Sequence, residues 1–122
     1  MSFDEELAAS VRAALSGAGS VREIKMFGGI GFMLNGNLIV AASKRGLLVR
    51  VGKVRQREAL ARPGARPMIM RGRAMEGYIY VDPPAITAGA VKEWIKFALV
   101  FVRTLPRKAS GTKVRRTKTT PK

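Results

Sequence analysis

Lysine and arginine are the residues of this chain whose types and spacing point most directly to chemistry, because they carry fixed positive charge and bind anions. The 122-residue chain holds 23 of them against 8 acidic residues, a formal net charge of +15. It contains no cysteine and no histidine. That composition excludes disulfides, Cys/His zinc sites, thiol nucleophiles and Ser-His-Asp triads. The chemistry that this composition supports best is the recognition of phosphate or carboxylate groups.

The segment 106–122, called the basic segment below, concentrates this charge. It has seven basic residues, no acid and two aliphatic residues, Ala109 and Val114. Such a composition cannot bury enough apolar surface to offset the chain entropy. The sequence therefore predicts one folded domain over residues 1–105 and a disordered tail over 106–122. We predict that this tail binds nucleic acid non-specifically through its seven cations: Arg107, Lys108, Lys113, Arg115, Arg116, Lys118 and Lys122.

A second group of eight basic residues lies between positions 50 and 73, where Glu58 is the one acid. Two interpretations remain open for it. A run of charge can be an ordinary solvated face, or it can form a surface that meets a polyanion, since arginine binds phosphate with two parallel hydrogen bonds. The group consists of Arg50, Lys53, Arg55, Arg57, Arg62, Arg66, Arg71 and Arg73.

The acidic residues show no spacing that would serve catalysis. Three of them, at positions 4–6, fit the start of a helix, where the helix dipole favours negative charge. The others are scattered, and no two are spaced to share one helical turn. We therefore predict no catalytic residue, no metal ligand and no cofactor, and we expect that the chain is not an enzyme.

A glycine-rich run, Phe27-Gly28-Gly29-Ile30-Gly31, suggests a phosphate-binding loop at first sight. A dinucleotide fingerprint would need a third glycine where Leu34 stands, followed by a helix, and a P-loop would need Gly-Lys-Ser/Thr. Neither requirement is met. We predict instead that the glycines are structural and serve turns or close backbone approaches. The predicted set is Gly28, Gly29, Gly31, Gly36 and Gly77.

The order of the predicted elements indicates the fold class. Apolar residues recur every four positions from 3 to 15, which predicts an N-terminal helix. Short apolar runs separated by turn residues predict strands near 24–27, 30–34, 38–42, 47–51, 68–70 and 75–81, with a short helix near 53–60. Asn35-Gly36 is the strongest hairpin signal. The prediction is a two-layer α+β domain, an antiparallel sheet of five or six strands with N- and C-terminal helices packed against it.

The predicted C-terminal helix, residues 87–104, has an apolar arc about twice the minimal width of a core-facing stripe. Either the sheet and the first helix cover this arc broadly, or part of it meets a partner. The second alternative predicts a homodimer formed partly through Phe97, Val100 or Phe101, because extended apolar patches are uncommon on monomers.

The first residues are acidic where a secretory signal would be basic, and the longest strongly apolar stretch, residues 94–102, is far shorter than a membrane span. We expect a cytoplasmic protein of bacterial type that makes no contact with a membrane.

Four sequence segments together resemble the amino-terminal domain of the TfoX/Sxy family of competence regulators. They are Met26-Phe27-Gly28-Gly29-Ile30-Gly31, Asn35-Gly36-Asn37, Gly46-Leu47-Leu48-Val49-Arg50-Val51 and Met75-Glu76-Gly77-Tyr78-Ile79-Tyr80-Val81-Asp82 before a helix that contains Trp94. The resemblance covers residues 5–102. It implies a two-layer α+β domain and a role in transcription of DNA-uptake genes without enzymatic activity. Full-length relatives carry a second, helical domain, where this chain continues as the basic segment.

Two classes of function follow from these observations. One is a small regulator that associates with nucleic acid, with the domain as a scaffold or dimeriser and the tail as an anchor. The other is a protein-interaction or dimerisation module, with another regulatory protein as partner and an incidental tail. A third hypothesis is a groove around Tyr78 and Tyr80 that binds a small molecule.

Overall fold

The computed structural model of the chain describes residues 3–26 and 28–106. Phe27 and the residues after Pro106, which include every cation of the basic segment, lie outside the described part. The described chain contains three α-helices and six strands, as the α+β prediction expected. They are α1 (Phe3–Ala14), β1 (Val21–Met26), β2 (Gly29–Leu34), β3 (Asn37–Ser43), β4 (Gly46–Arg50), α2 (Gln56–Leu60), β5 (Ala65–Met70), β6 (Arg73–Val81) and α3 (Ala88–Val102).

The six strands form one antiparallel sheet in the order β1-β2-β3-β4-β6-β5. Hairpin turns join the first four strands in succession. The connection that contains α2 carries the chain past the position of β6 to the sheet edge, and β6 then returns between β5 and β4. The two edge strands of the sheet, β1 and β5, are therefore far apart in the sequence.

Two of the hairpins turn through a pair of residues with positive φ. Asn35 and Gly36 have φ of 53° and 80°, and Arg71 and Gly72 have φ of 54° and 77°. A two-residue turn with both φ values positive matches the right-handed twist of the strands that it joins. The Asn-Gly signal in the sequence thus marks the β2–β3 turn correctly.

One face of the sheet carries the main hydrophobic core. Leu47, Val49 and Val51 point to this face, and each is 1% exposed or less. Helices α1 and α3 pack on β3 and on each other, and α2 packs on β5 and β6. Residues of all three helices belong to this one buried cluster. Burial of its aliphatic side chains contributes about 1.5–3 kcal/mol each.

Helix α3 is covered broadly by the rest of the chain. Its N-terminus is capped by Thr87, whose hydroxyl accepts a hydrogen bond from the backbone N–H of Ala90 at 3.1 Å. Trp94 and Phe97 are buried with their ring centroids 5.7 Å apart. Val100 remains 59% exposed. The first of the two alternatives for the wide apolar arc, coverage by the sheet and the first helix, therefore accounts for most of it.

None of the helices in the described residues combines the length and the apolar character that a bilayer crossing requires.

Candidate functional site

The sheet face opposite the helices is lined by methionine. A second hydrophobic cluster lies there, and all six strands contribute to it. Five of the six methionines of the chain belong to this cluster. We call this surface the methionine face and define it by Met26, Met33, Met68, Met70 and Met75 together with Leu38, Leu48 and Tyr78.

Strand pairing explains how residues distant in sequence meet on this face. Paired residues of an antiparallel sheet point to the same side. Met33 pairs with Leu38, and Leu48 pairs with Tyr80. The β2–β3 pair contains a register shift. Because of this irregularity, the consecutive residues Ile39 and Val40 both belong to the helix-side core. Leu38 and Ala41, which flank them, belong to the methionine face.

A cavity of about 280 Å³ opens on the methionine face. All five methionines border it, and Leu38, Leu48 and Tyr78 contribute further apolar surface. Among the described residues, Arg50 is the one that brings a charge to its border. An apolar lining with a small number of polar groups is the usual construction of a small-molecule site, and this volume lies just below the usual range.

The Arg50 guanidinium is held between two aromatic rings. Its Cζ lies 5.6 Å from the ring centroid of Tyr78, the residue that pairs with Arg50 between β4 and β6. The same atom lies 5.5 Å from the ring centroid of Phe101 in α3. Such cation–π contacts orient a guanidinium without neutralising its charge. Within the described residues, no carboxylate forms an ion pair with Arg50.

A neighbouring hollow of about 330 Å³ continues along the same face, between Arg45, Arg71 and Tyr80. Tyr80 is buried, and the Cζ of Arg66 lies 5.2 Å from its ring centroid. Arg66 also forms an ion pair with Asp82. Cations therefore stand at both ends of the methionine face.

The eight basic residues between positions 50 and 73 do not form a single surface. Arg55 and Arg62 lie on the helix side, with their Cζ atoms 3.7 Å and 4.7 Å from the ring centroid of Phe97. Arg50 and Arg66 lie at the methionine face. The remaining four are exposed in α2, in its preceding turn, and at the β5–β6 hairpin: Lys53, Arg57, Arg71 and Arg73.

Several carboxylates are bound by arginine. The Arg12 guanidinium donates hydrogen bonds of 2.6 and 2.7 Å to Glu23, which lowers the pKa of that carboxyl below its ordinary value. Arg55 lowers the pKa of Glu58 in the same way.

Over the described part of the chain, no three acidic residues come close enough together to hold a metal ion.

The predicted structural glycines lie at turns and close approaches. Gly28 has a φ of 73° in the β1–β2 turn, and Gly77 has a φ of 86° where β6 meets the end of β4. The carbonyl of Gly77 accepts hydrogen bonds from the N–H groups of Val51 and Gly52. Gly29 and Gly31 have no unusual φ.

Neighbouring atoms explain these last two glycines. A Cβ at Gly29 would overlap the carbonyl oxygen of Ala42, and one at Gly31 would overlap the sulfur of Met26. These two positions therefore require glycine because there is no room for a side chain, and not because of their backbone conformation.

The basic segment begins beside the β2–β3 hairpin. The buried side chain of Asn37 donates a hydrogen bond of 3.0 Å from Nδ2 to the carbonyl oxygen of Pro106. The seven predicted nucleic-acid-binding cations follow Pro106 and lie outside the described residues.

The methionine face was not predicted from the sequence. The hypothesis of a groove around Tyr78 and Tyr80 names two residues of this cluster but none of its methionines. A usable signal was present: five of six methionines fall within or at the end of predicted strands, away from the helices.

The comparisons with known proteins agree with this fold. The model of the TfoX N-terminal domain family matches residues 13–102, which include β1 to β6, α2 and α3. No curated protein and no solved structure matches the chain. Domains of this family are non-catalytic and, in general, regulatory or competence-related. The match spans well over half of the sequence, and we conclude that the chain belongs to the TfoX N-terminal domain family.

Proposed function

We propose that this chain is a non-enzymatic regulatory domain that binds nucleic acid non-specifically through its basic segment. The observation that carries the proposal is the separation of charge along the sequence. The basic segment holds seven cations and no acid, whereas residues 1–105 hold sixteen cations and all eight acids. A concentration of unopposed charge attracts a polyanion and releases its condensed counterions, which supplies the driving force.

The contacts of the folded domain support this assignment. Many of its cations already have partners: Arg12 and Arg66 are bound to carboxylates, and Arg55 and Arg62 lie over aromatic rings. These contacts hold the guanidinium groups on different sides of the domain. The folded part is therefore a poor candidate for a continuous phosphate-binding surface, and the basic segment is the better one.

The type of recognition follows from the composition of the basic segment. It contains no aromatic residue, so base stacking is unavailable. Contacts to phosphate fix position but carry no sequence information directly. We expect similar affinity for duplexes of different sequence, with the folded domain held close to the nucleic acid.

The test is the affinity for a fluorescently labelled DNA duplex, measured by anisotropy. One variant replaces the seven cations of the basic segment by glutamine, which keeps its length. A control variant replaces three exposed cations of the folded domain, Arg57, Arg71 and Arg73, by glutamine. We expect the first variant to lose most of the binding and the control to keep most of it. The reverse order would refute the assignment to the basic segment.

The alternative of a dimerisation module through α3 has less support. Phe97 is buried beneath Arg55 and Arg62, and Phe101 is partly buried against Arg50. Val100 is the large apolar residue of α3 that remains exposed. A specific interface buries on the order of 1,200–2,000 Å², far more than one valine offers. Sedimentation that shows a dimer dissociated by Val100→Glu would restore this alternative.

A further inference from the structure

We propose that the methionine face binds a small apolar carboxylate, with its hydrocarbon part in the methionine-lined cavity and its carboxylate on Arg50. This inference does not depend on nucleic-acid binding by the basic segment. It rests on three features of the described residues: the cavity, the flexible apolar lining and the unopposed charge of Arg50.

The lining favours an unbranched or irregular hydrocarbon group. Met26, Met33, Met70 and Met75 are only partly buried, although they pack on the buried floor formed by Leu38 and Leu48. Methionine is flexible and polarizable, and protein surfaces that accept varied apolar ligands use it often. The cavity of about 280 Å³ suits one small molecule rather than a folded partner.

The charge at the border determines the polar end of the ligand. Arg50 is held in place by Tyr78 and Phe101, yet no carboxylate of the described residues pairs with it. A guanidinium presents a planar fork of donors that matches the two oxygens of a carboxylate. An apolar molecule with one carboxylate therefore satisfies the cavity and its border at the same time.

Other occupants fit less well. A second copy of this chain would bring the cations at both ends of one face, Arg50, Arg45 and Arg71, toward those of the other. The basic segment has the same sign of charge as the border and only two aliphatic residues. A nucleic acid strand would need exposed aromatic rings for stacking, but Tyr80 is buried and Tyr78 is partly buried with Arg50 against its ring.

The experiment uses the full chain labelled with ¹³C at the methionine methyl groups, so that the five methionines bordering the cavity report directly. Octanoate, octanol and octylammonium are titrated separately. We expect octanoate to shift these methyl signals saturably and octanol to bind at least about tenfold more weakly, because the charge-assisted hydrogen bond to Arg50 is lost. Octylammonium should bind least, because the Arg50 guanidinium repels its ammonium group and offers it no acceptor. The emission of Trp94, which lies in the opposite core, should not change.

Two variants locate the carboxylate. Arg50→Gln should weaken octanoate binding about tenfold or more and leave octanol binding unchanged. Arg57→Gln, an equal charge change on α2 at the other side of the sheet, should leave both unchanged. The three-ligand comparison on the unmodified chain decides the matter if Arg50→Gln does not fold.

Four results would overturn the proposal. The first is an absence of saturable shifts with octanoate, and the second is equal binding of octanoate and octanol. The third is movement of the same methyl signals on dilution of the protein alone, which would indicate a second copy as occupant. The fourth is movement of those signals with an oligothymidine but not with octanoate, which would indicate a nucleic acid strand.

Discussion

Substituting Gly29 by alanine should destabilise the domain even though the backbone conformation there suits any residue. The added Cβ would overlap the carbonyl oxygen of Ala42 and lie 2.8 Å from the Cβ of Ser43 in the neighbouring strand. A backbone oxygen cannot move aside as a flexible side chain can. Strands β2 and β3 must therefore separate near the Ile30–Ala42 pair.

The magnitude follows from what that separation costs. Loss of about two ladder hydrogen bonds, at roughly 0.5–1.5 kcal/mol each, reduces stability by about 1–3 kcal/mol. The smaller conformational freedom of alanine in the unfolded chain returns about 0.4–1 kcal/mol. For a domain of this size, a net loss of about 1–2 kcal/mol lowers the melting temperature by roughly 4–16 °C.

Urea unfolding followed by circular dichroism and by Trp94 fluorescence measures this loss, with an unchanged m-value expected. Gly89→Ala is the matched control. Gly89 lies in the first turn of α3 with open space around it and no unusual φ. Alanine there should stabilise the helix by up to about 1 kcal/mol. If Gly29→Ala proves as harmless as Gly89→Ala, strands β2 and β3 do not approach each other closely at this position.

Three further substitutions test the contacts of the folded domain. Glu23→Gln should cost less than about 1 kcal/mol at neutral pH, because its ion pair with Arg12 is exposed. The pair lowers the folded-state pKa of Glu23, so the stability that it contributes is present above the ordinary glutamate pKa and is lost as the pH falls through the lowered folded-state pKa. A stability difference that does not shrink in acid unfolding curves as the pH falls through this range would contradict the ion pair. Asn37→Ala should cost about 1 kcal/mol in thermal melts, since it removes the bond to the Pro106 carbonyl; no change would mean that this bond is not made. Ile79→Ala should cost about 2–5 kcal/mol in urea unfolding, because Ile79 is fully buried at the centre of the sheet; a loss below about 1 kcal/mol would place it outside the core.

The central strands could be predicted closely because their turns and alternation are local signals. Asn35-Gly36 fixes the β2–β3 hairpin through two positive φ values. The edge strands could not be delimited as well. Strand β1 starts at Val21, before the charged residues Arg22 and Glu23, and β5 starts at Ala65 although Pro67 follows. An edge strand tolerates exposed charge and proline, because one side of it has no neighbour to bond.

The candidate site depended on information that local patterns do not contain. The methionine face exists because β6 lies between β4 and β5, which brings Met68 and Met70 beside Tyr78 and Leu48. Strand order is a property of the whole chain. For the same reason, a run of arginines that looked continuous in sequence is divided between the two sides of the sheet by α2 and its flanking strands.

The most direct test of the proposed function is the salt dependence of duplex DNA binding by the full chain. If five to seven cations of the basic segment engage phosphates, log K against log salt should have a slope of roughly −4.5 to −6. The same measurement on a chain ending at residue 106 should lose most of that slope, with the melting curve of the domain nearly unchanged. A truncated chain that binds as tightly and with the same slope would contradict the account and would move binding to the cations of the folded domain.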